Sequence, residues 1–275
     1  MLAFSSLLGN VEGQNIYRIW YDKPASYWEE ALPVGNGRIA AMVFGDPQLE
    51  QIQLNEETVS AGSPYQNYNE EAKTALPEMR RLIFEGKYEE AQNMAATKIL
   101  SQVGNEMPYQ TVGRLNIRYQ DHKKVNNYYR DLDISNAVAV TRYEVDGVEF
   151  TEETFASFTD QLVIRHIKAS KPGTINCELF FNTPMRDPKR SIYGKKGLRL
   201  EGITHGSRYF PGKVHYCADL DVKHKGGKVI TANDTLLSVQ GASELTLYIS
   251  MATNFVNYKD ISVSYTHLTL PTNSR

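Results

Sequence analysis

The chain has 275 residues, 41% hydrophobic and 23% charged, enough for one large β domain or two ordinary ones with a sizeable core. With 32 acidic and 30 basic residues the formal net charge is −2, so no basic field favours nucleic acid or an anionic membrane surface. No apolar run approaches the length of a bilayer span.

The chain opens on MLAFSSLLGNVEGQN, a short apolar stretch followed by small and polar residues. This reads as the back half of a secretory signal peptide without its basic start, with a disordered leader as the alternative. Residues 1–14 are therefore expected to be a leader and the mature protein to be periplasmic or secreted. From Ile16 to about Asn55 the pattern is of strands and turns. RIAAMVFG, the break at Gly45-Asp46-Pro47 and then LEQIQLN predict a hairpin with Ile52 and Leu54 on one face.

Within that segment, ALPVGNGRIAAMVFG carries Gly35, Gly37 and Ala40 in the G-x-G-x-x-A spacing of some dinucleotide-binding loops. Such a loop must lead into a helix whose N-terminus faces the pyrophosphate. Here Pro33 immediately precedes the turn, and only residues 38–44 separate Gly37 from the next break, too few for that helix. RIAAMVF reads as a strand, with Gly35 and Gly37 supplying positive φ or a close backbone approach. No nucleotide cofactor is expected.

From Asn67 to about Leu100 the period becomes helical. Ala72, Ala75, Leu76, Met79 and Ile83 recur at three- and four-residue steps, with Pro77 as a kink or boundary. Gly86 breaks the run, and Tyr88, Ala91, Ala95 and Ile99 restart it, which predicts two helices packed beside a sheet. Beyond Leu115 the chain is strongly β. Asp146-Gly147 between VAVTRYEV and VEFTEETF is a strong hairpin signal, and QLVIRHIKA, TINCELFF, HYCADLDVK and ELTLYISMA follow between turn residues. The fold class is mainly β, an antiparallel sandwich with a short inserted helical segment at about 67–100, in one domain spanning 15–262.

Seventeen tyrosines suit strands and core rims, and exposed ones can stack on sugar rings. Cys177 and Cys217 form either a disulfide or two separate buried thiols. The six histidines are scattered, with no H-E-x-x-H or C-x-x-C, so no metal is expected. Near the end, VSYTHLTLPT matches the conceptual translation of a transposon-end sequencing adapter over ten consecutive residues. Residues 263–275 are expected to be a tail of non-biological origin.

IWYDKPASYWEEALPVGNGRIAAMVFG followed by QIQLNEETV resembles the opening of glycoside hydrolase family 95, the α-L-fucosidases. The likeness continues through GSPYQNYNEEAKTALPEMRRLIFEGKYEEAQ, MPYQTVGRLNI, YYRDLDISNAVAVTRYEVDGVEF and ATNFVNYKD, from about Tyr17 to Asp260. One departure is Ser60, where the family commonly carries Trp after NEET. The resemblance implies that this chain is a first β-sandwich, followed in the full-length enzyme by an (α/α)6 barrel that packs on it. It implies an inverting hydrolase of terminal fucose, or of the related L-galactose, acting on glycans or polysaccharides. Inversion needs a general acid and a base-activated water on opposite faces of the sugar, with the carboxyls roughly 6.5–9.5 Å apart. The resemblance places all of these groups in the barrel, so no catalytic residue is expected here.

Adjacent acids at Glu29-Glu30, Glu56-Glu57, Glu70-Glu71 and Glu152-Glu153 do not converge on one bond when they lie in strands, and solvated surface is their expected role. Trp28, Asn36, Arg38, Asn55, Glu56 and Glu57 are the substrate-binding or domain-interface candidates, because polar groups near an aromatic suit a sugar subsite or a polar interface. The alternative makes Asn55 and Glu56 satisfiers of turn backbone and Trp28 a core residue. At the level of function the alternative is a stand-alone carbohydrate-binding sandwich without catalysis.

Overall fold

The computed structural model describes residues 17–63, 67–101, 107–206 and 210–257. The expected leader at 1–14 and tail at 263–275 lie outside the described residues. The chain begins with β1 (Arg18–Tyr21), β2 (Leu32–Gly35), β3 (Ile39–Val43) and β4 (Leu49–Glu56), followed by helices α1 (Ala72–Phe84) and α2 (Tyr88–Met94). Next come β5 (Gly113–Tyr119), β6 (Val125–Asp133), β7 (Val138–Val145), β8 (Val148–Ser157) and β9 (Leu162–Ala169). The last part holds β10 (Ile175–Asn182), β11 (Arg186–Tyr193), β12 (Gly197–Ile203) and β13 (His215–Lys225). It ends with β14 (Lys228–Asn233), β15 (Leu236–Ala242) and β16 (Glu244–Thr253).

The strands form two antiparallel sheets. One has nine strands in the order β1-β6-β7-β8-β9-β16-β13-β12-β11, and the other seven in the order β14-β15-β10-β5-β4-β3-β2. The expected mainly β sandwich is therefore the observed fold. Alternate side chains of each sheet point inward. Ile52, Leu54, Leu115, Ile117 and Leu179 of the smaller sheet join Val163, Ile167, Leu220, Leu247 and Ile249 of the larger in one sealed core. At roughly 25 cal/mol per Å² of apolar surface removed from water, this layer is the main stabilising element.

The hairpin reading of β3 and β4 holds, with Ile52 and Leu54 fully buried on one face. So does that of β7 and β8, where Asp146 (φ +49°) and Gly147 (φ +75°) take the two positive-φ positions that a tight hairpin turn demands. Cys177 and Cys217 lie on β10 and β13, in different sheets, as free buried thiols.

The helical segment differs from expectation. α1 and α2 pack chiefly on each other rather than beside a sheet, and their buried side chains are Leu82 and Ala91. Only two of the five expected positions on α1 carry a large aliphatic side chain besides Met79, and Leu82, beside Ile83 and outside those five, is the buried residue instead. Phe84 and Tyr88 at the tip are exposed. Pro77 sits inside α1 and does not end it. Glu70 and Glu71 are exposed just before α1, as solvated acids should be at the positive end of a helix.

Candidate functional site

The glycine-rich turn between β2 and β3 clasps the two sheets together. Gly37 has φ +91°, a conformation that a Cβ would strain. Gly35 serves close approach instead: a Cβ there would lie 3.2 Å from both the Ala40 Cβ and the Ile39 carbonyl. Between them, buried Asn36 accepts the amides of Arg38 and Ile39 on Oδ1 at 3.0 and 2.9 Å. Its Nδ2 donates to the Ser157 carbonyl at 2.9 Å, at the end of β8 in the opposite sheet. RIAAMVF continues as strand β3, and no helix follows the turn.

Alternation along β4 brings the next groups in. Its inward face reads Glu50, Ile52, Leu54, Glu56, an apolar pair flanked by two buried carboxylates. Glu56 is 3% exposed and accepts the Thr58 amide and hydroxyl on Oε2 at 2.7 and 2.6 Å. Its Oε1 faces the Arg38 Nε at 3.7 Å. The Arg38 Nη2 donates across the sandwich to the Met251 carbonyl on β16 at 3.0 Å, and the Thr58 hydroxyl meets that of Thr253 on the same strand. Tyr109 donates its hydroxyl to the Glu56 carbonyl at 3.0 Å, and its backbone bridges to Ser60. Glu57 is exposed, and its amide donates to the Arg38 carbonyl at 2.9 Å. Asn55 is partly exposed, and its Oδ1 is 3.5 Å from the Gln53 Nε2, a weak contact.

The structure thus joins Asn36, Arg38 and Glu56 into one cluster, with Asn55 and Glu57 at its rim. Glu56 does satisfy turn backbone, as the alternative reading had it. The core assignment for Trp28 in that alternative is corrected: it lies in a short helical turn and is 49% exposed. The residues around Trp28 lie at the Leu49 end of β4, while Glu56 ends the strand. Seven strand steps, about 23 Å, separate the two ends.

Next to the Leu49 end of β4, at Glu50, lies a sealed ionic cluster. Glu152, expected on the solvated surface, is 1% exposed, because it shares the inward face of β8 with Phe150 and Thr154. Its Oε1 accepts the hydroxyls of Tyr119 and Tyr143, each at 2.6 Å. Fully buried Arg165 donates through Nη2 to the Glu50 Oε2 at 2.9 Å and to the Glu152 Oε2, and through Nη1 to the Thr154 hydroxyl at 2.6 Å. Glu50 also accepts the Phe44 and Gly45 amides on Oε1 at 3.1 and 3.0 Å. Burial outweighs the attraction of Arg165 and, with Glu152 alongside, pushes the Glu50 carboxyl up to about 7. His122, stacked on Tyr119 at 4.3 Å, is held below its ordinary range by burial.

Glu50 and Glu152 are two carboxylates that the fold brings together, yet both are shut off from solvent and locked on one guanidinium. They cannot flank a glycosidic bond. Glu56 is likewise engaged by Thr58 and Arg38. Among the described residues, no group of three or more His, Cys, Asp or Glu side chains is arranged to hold a metal ion. The cluster's chemistry is that of a fastening between sheets.

A protein-family model described as "Glycosyl hydrolase family 65, N-terminal domain" matches residues 19–258. The chain is 31% identical to "Alpha-L-fucosidase 2" of Arabidopsis thaliana over 271 residues, covering 89% of this chain and 31% of that protein. It is 25% identical to "Probable alpha-fucosidase A" of Aspergillus oryzae over 262 residues, covering 90% of this chain and 35% of that protein. The chain spans about a third of the length of these curated relatives. Together with the sandwich and its sealed carboxylates, the match over 19–258 shows that the chain belongs to the glycosyl hydrolase family 65 N-terminal domain family.

Proposed function

We propose that this chain is the N-terminal, non-catalytic domain of an exported, inverting α-L-fucosidase that removes terminal fucose from glycans or polysaccharides. The observation that carries the reading is the 31% identity to a protein named an α-L-fucosidase, sustained over 89% of this chain. The burial and pairing of Glu50, Glu152 and Glu56 support it by leaving the acid and base of hydrolysis to residues downstream in the full-length enzyme. In this reading the end of the sandwich formed by Asn36, Arg38, Glu56 and Glu57 is the face on which the catalytic barrel rests. The inward groups stiffen that face, and Glu57 and Asn55 supply its polar rim.

The test is to express this chain, and separately the contiguous genomic gene that contains it, and to assay both with a 2′-fucosylated oligosaccharide. The reading expects fucose release from the longer product alone, with the β anomer formed first when the reaction is followed by NMR. Release by this chain alone, or the same assay showing no fucosidase activity in the longer protein, would overturn it.

A further inference from the structure

The far end of the sandwich, away from the Arg38–Glu56 clasp, carries a cleft of about 600 Å³. We infer that it is a saccharide-binding site, in which a pyranose ring stacks on Trp28 and its hydroxyls are held by Asp46, Gln51 and Arg114. The inference goes beyond the proposed function, since it needs no catalytic domain.

One wall is Lys23–Trp28, the first part of the segment from Lys23 to Glu30, and it carries Tyr27 and Trp28, 57% and 49% exposed. The chain exposes other large aromatics, Phe84 and Phe158 among them, but Tyr27 and Trp28 stand together on the wall of a cleft. That wall is rigid for identifiable reasons. Arg130, fully buried, donates Nε to the Lys23 carbonyl and Nη1 to the Glu30 carbonyl, each at 2.7 Å, so one guanidinium grips both ends of the segment. The Glu30 carboxylate accepts the Ser26 amide at 2.8 Å, and the Ala25 amide donates to the Phe44 carbonyl at 2.9 Å. The aromatic wall is therefore formed before any ligand arrives, which reduces the ordering entropy of binding.

The other wall supplies fixed polar groups. Arg114 Nη1 donates to the Gln51 Oε1 at 2.6 Å, and its guanidinium lies over the Phe44 ring at 5.5 Å. Asp46 accepts the Gln48 and Leu49 amides on Oδ1, at 2.8 and 3.1 Å, which fixes its carboxylate at the mouth of a turn. A sugar ring offers an apolar face of C–H groups and a perimeter of hydroxyls that both donate and accept. An indole opposite a carboxylate, a primary amide and a guanidinium matches both parts.

Binding is tested on the whole chain by titrating 2′-fucosyllactose and cellobiose while recording tryptophan fluorescence. The chain has two tryptophans, so a Trp20→Phe variant leaves Trp28 as the reporter. The expected result is saturable binding with a Kd on the order of 1 mM for at least one of the two saccharides. Trp28→Ala should abolish it, read by saturation-transfer NMR because the reporter is lost. Arg114→Ala and Asp46→Asn should each weaken it about tenfold. Phe84→Ala, an exposed aromatic on α1, should leave it unchanged, and a thermal melt confirms that each variant is folded. No saturable binding of either saccharide, or binding that survives Trp28→Ala, would overturn the inference. Neither result would bear on fucose release by the longer gene product.

Discussion

Glu56 and Arg38 face each other at 3.7 Å across the end of the sandwich, and Arg38 reaches on to the Met251 carbonyl of the opposite sheet. The ion pair is one-sided in its burial: Glu56 is sealed, while the Arg38 side chain is a third exposed. Removing Arg38 would leave a buried carboxylate with only the Thr58 donors. Arg38→Ala should therefore cost about 1–3 kcal/mol in a denaturant titration. Glu56→Gln should cost less, because its partner can turn to water. A double-mutant cycle should return a coupling of about 1 kcal/mol, and additive losses would show that the two side chains act independently.

Asn36 carries more of the clasp than either charged residue. It makes three side-chain hydrogen bonds, two within its turn and one to Ser157 on the other sheet. Asn36→Ala should destabilise by on the order of 3 kcal/mol, taking about 1 kcal/mol per bond. Asn36→Asp keeps the acceptor for the turn amides but loses the donor to Ser157, so its loss should be intermediate. Equal stability of Asn36→Ala and the parent chain would remove the turn from the account.

Glu50 predicts a pH dependence of definite sign. The folded carboxyl holds its proton up to about pH 7, whereas the unfolded one ionises near about pH 4.3. Below both values each state is protonated and the contribution is complete. Between them the unfolded chain releases a proton that the folded chain retains, so stability falls as pH rises and the loss is complete above about pH 7. The gap corresponds to about 4 kcal/mol. Glu30 and Asp133 titrate in the opposite sense, since hydrogen bonds to their charged forms hold them below the ordinary carboxylate range. The readout is therefore the difference between the parent and Glu50→Gln at pH 5 and pH 8. The parent should lose stability relative to the variant over that interval, and parallel profiles would contradict the prediction.

Arg165 is the shared hydrogen-bonding partner of Glu50 and Glu152, so its removal should be the most damaging single change in the core. Arg165→Leu leaves Glu50 and Glu152 buried without a cation and should cost at least about 3–5 kcal/mol, read as a collapse of the melting temperature. The triple change Arg165→Leu with Glu50→Gln and Glu152→Gln should recover part of that loss, because no charge is then left uncompensated.

The strands and the mainly β class were legible from alternation, turn dipeptides and the positive-φ pair Asp146-Gly147. The buried charges were also partly legible. Glu50 and Glu56 are in phase with Ile52 and Leu54, and Arg165 is in phase with Val163 and Ile167, so each shares an inward face with core residues. What alternation along one strand cannot show is which strand faces it across the sandwich. Glu50 and Arg165 are 115 residues apart, and only the packing of the sheets brings them together. The helices misled for a related reason: spacing along one helix identifies a stripe but does not decide which element that helix packs on. The clasp was found in part, because Asn36, Arg38 and Glu56 were candidates, while Trp28 was grouped with them by proximity in sequence and lies at the opposite end of β4.

The most direct test of the account is fucose release measured on this chain and on the contiguous gene product side by side, with a 2′-fucosylated oligosaccharide as substrate. The account predicts no release by the chain at any pH, consistent with its sealed carboxylates, and release with inversion by the longer protein. Turnover by the chain alone would contradict it.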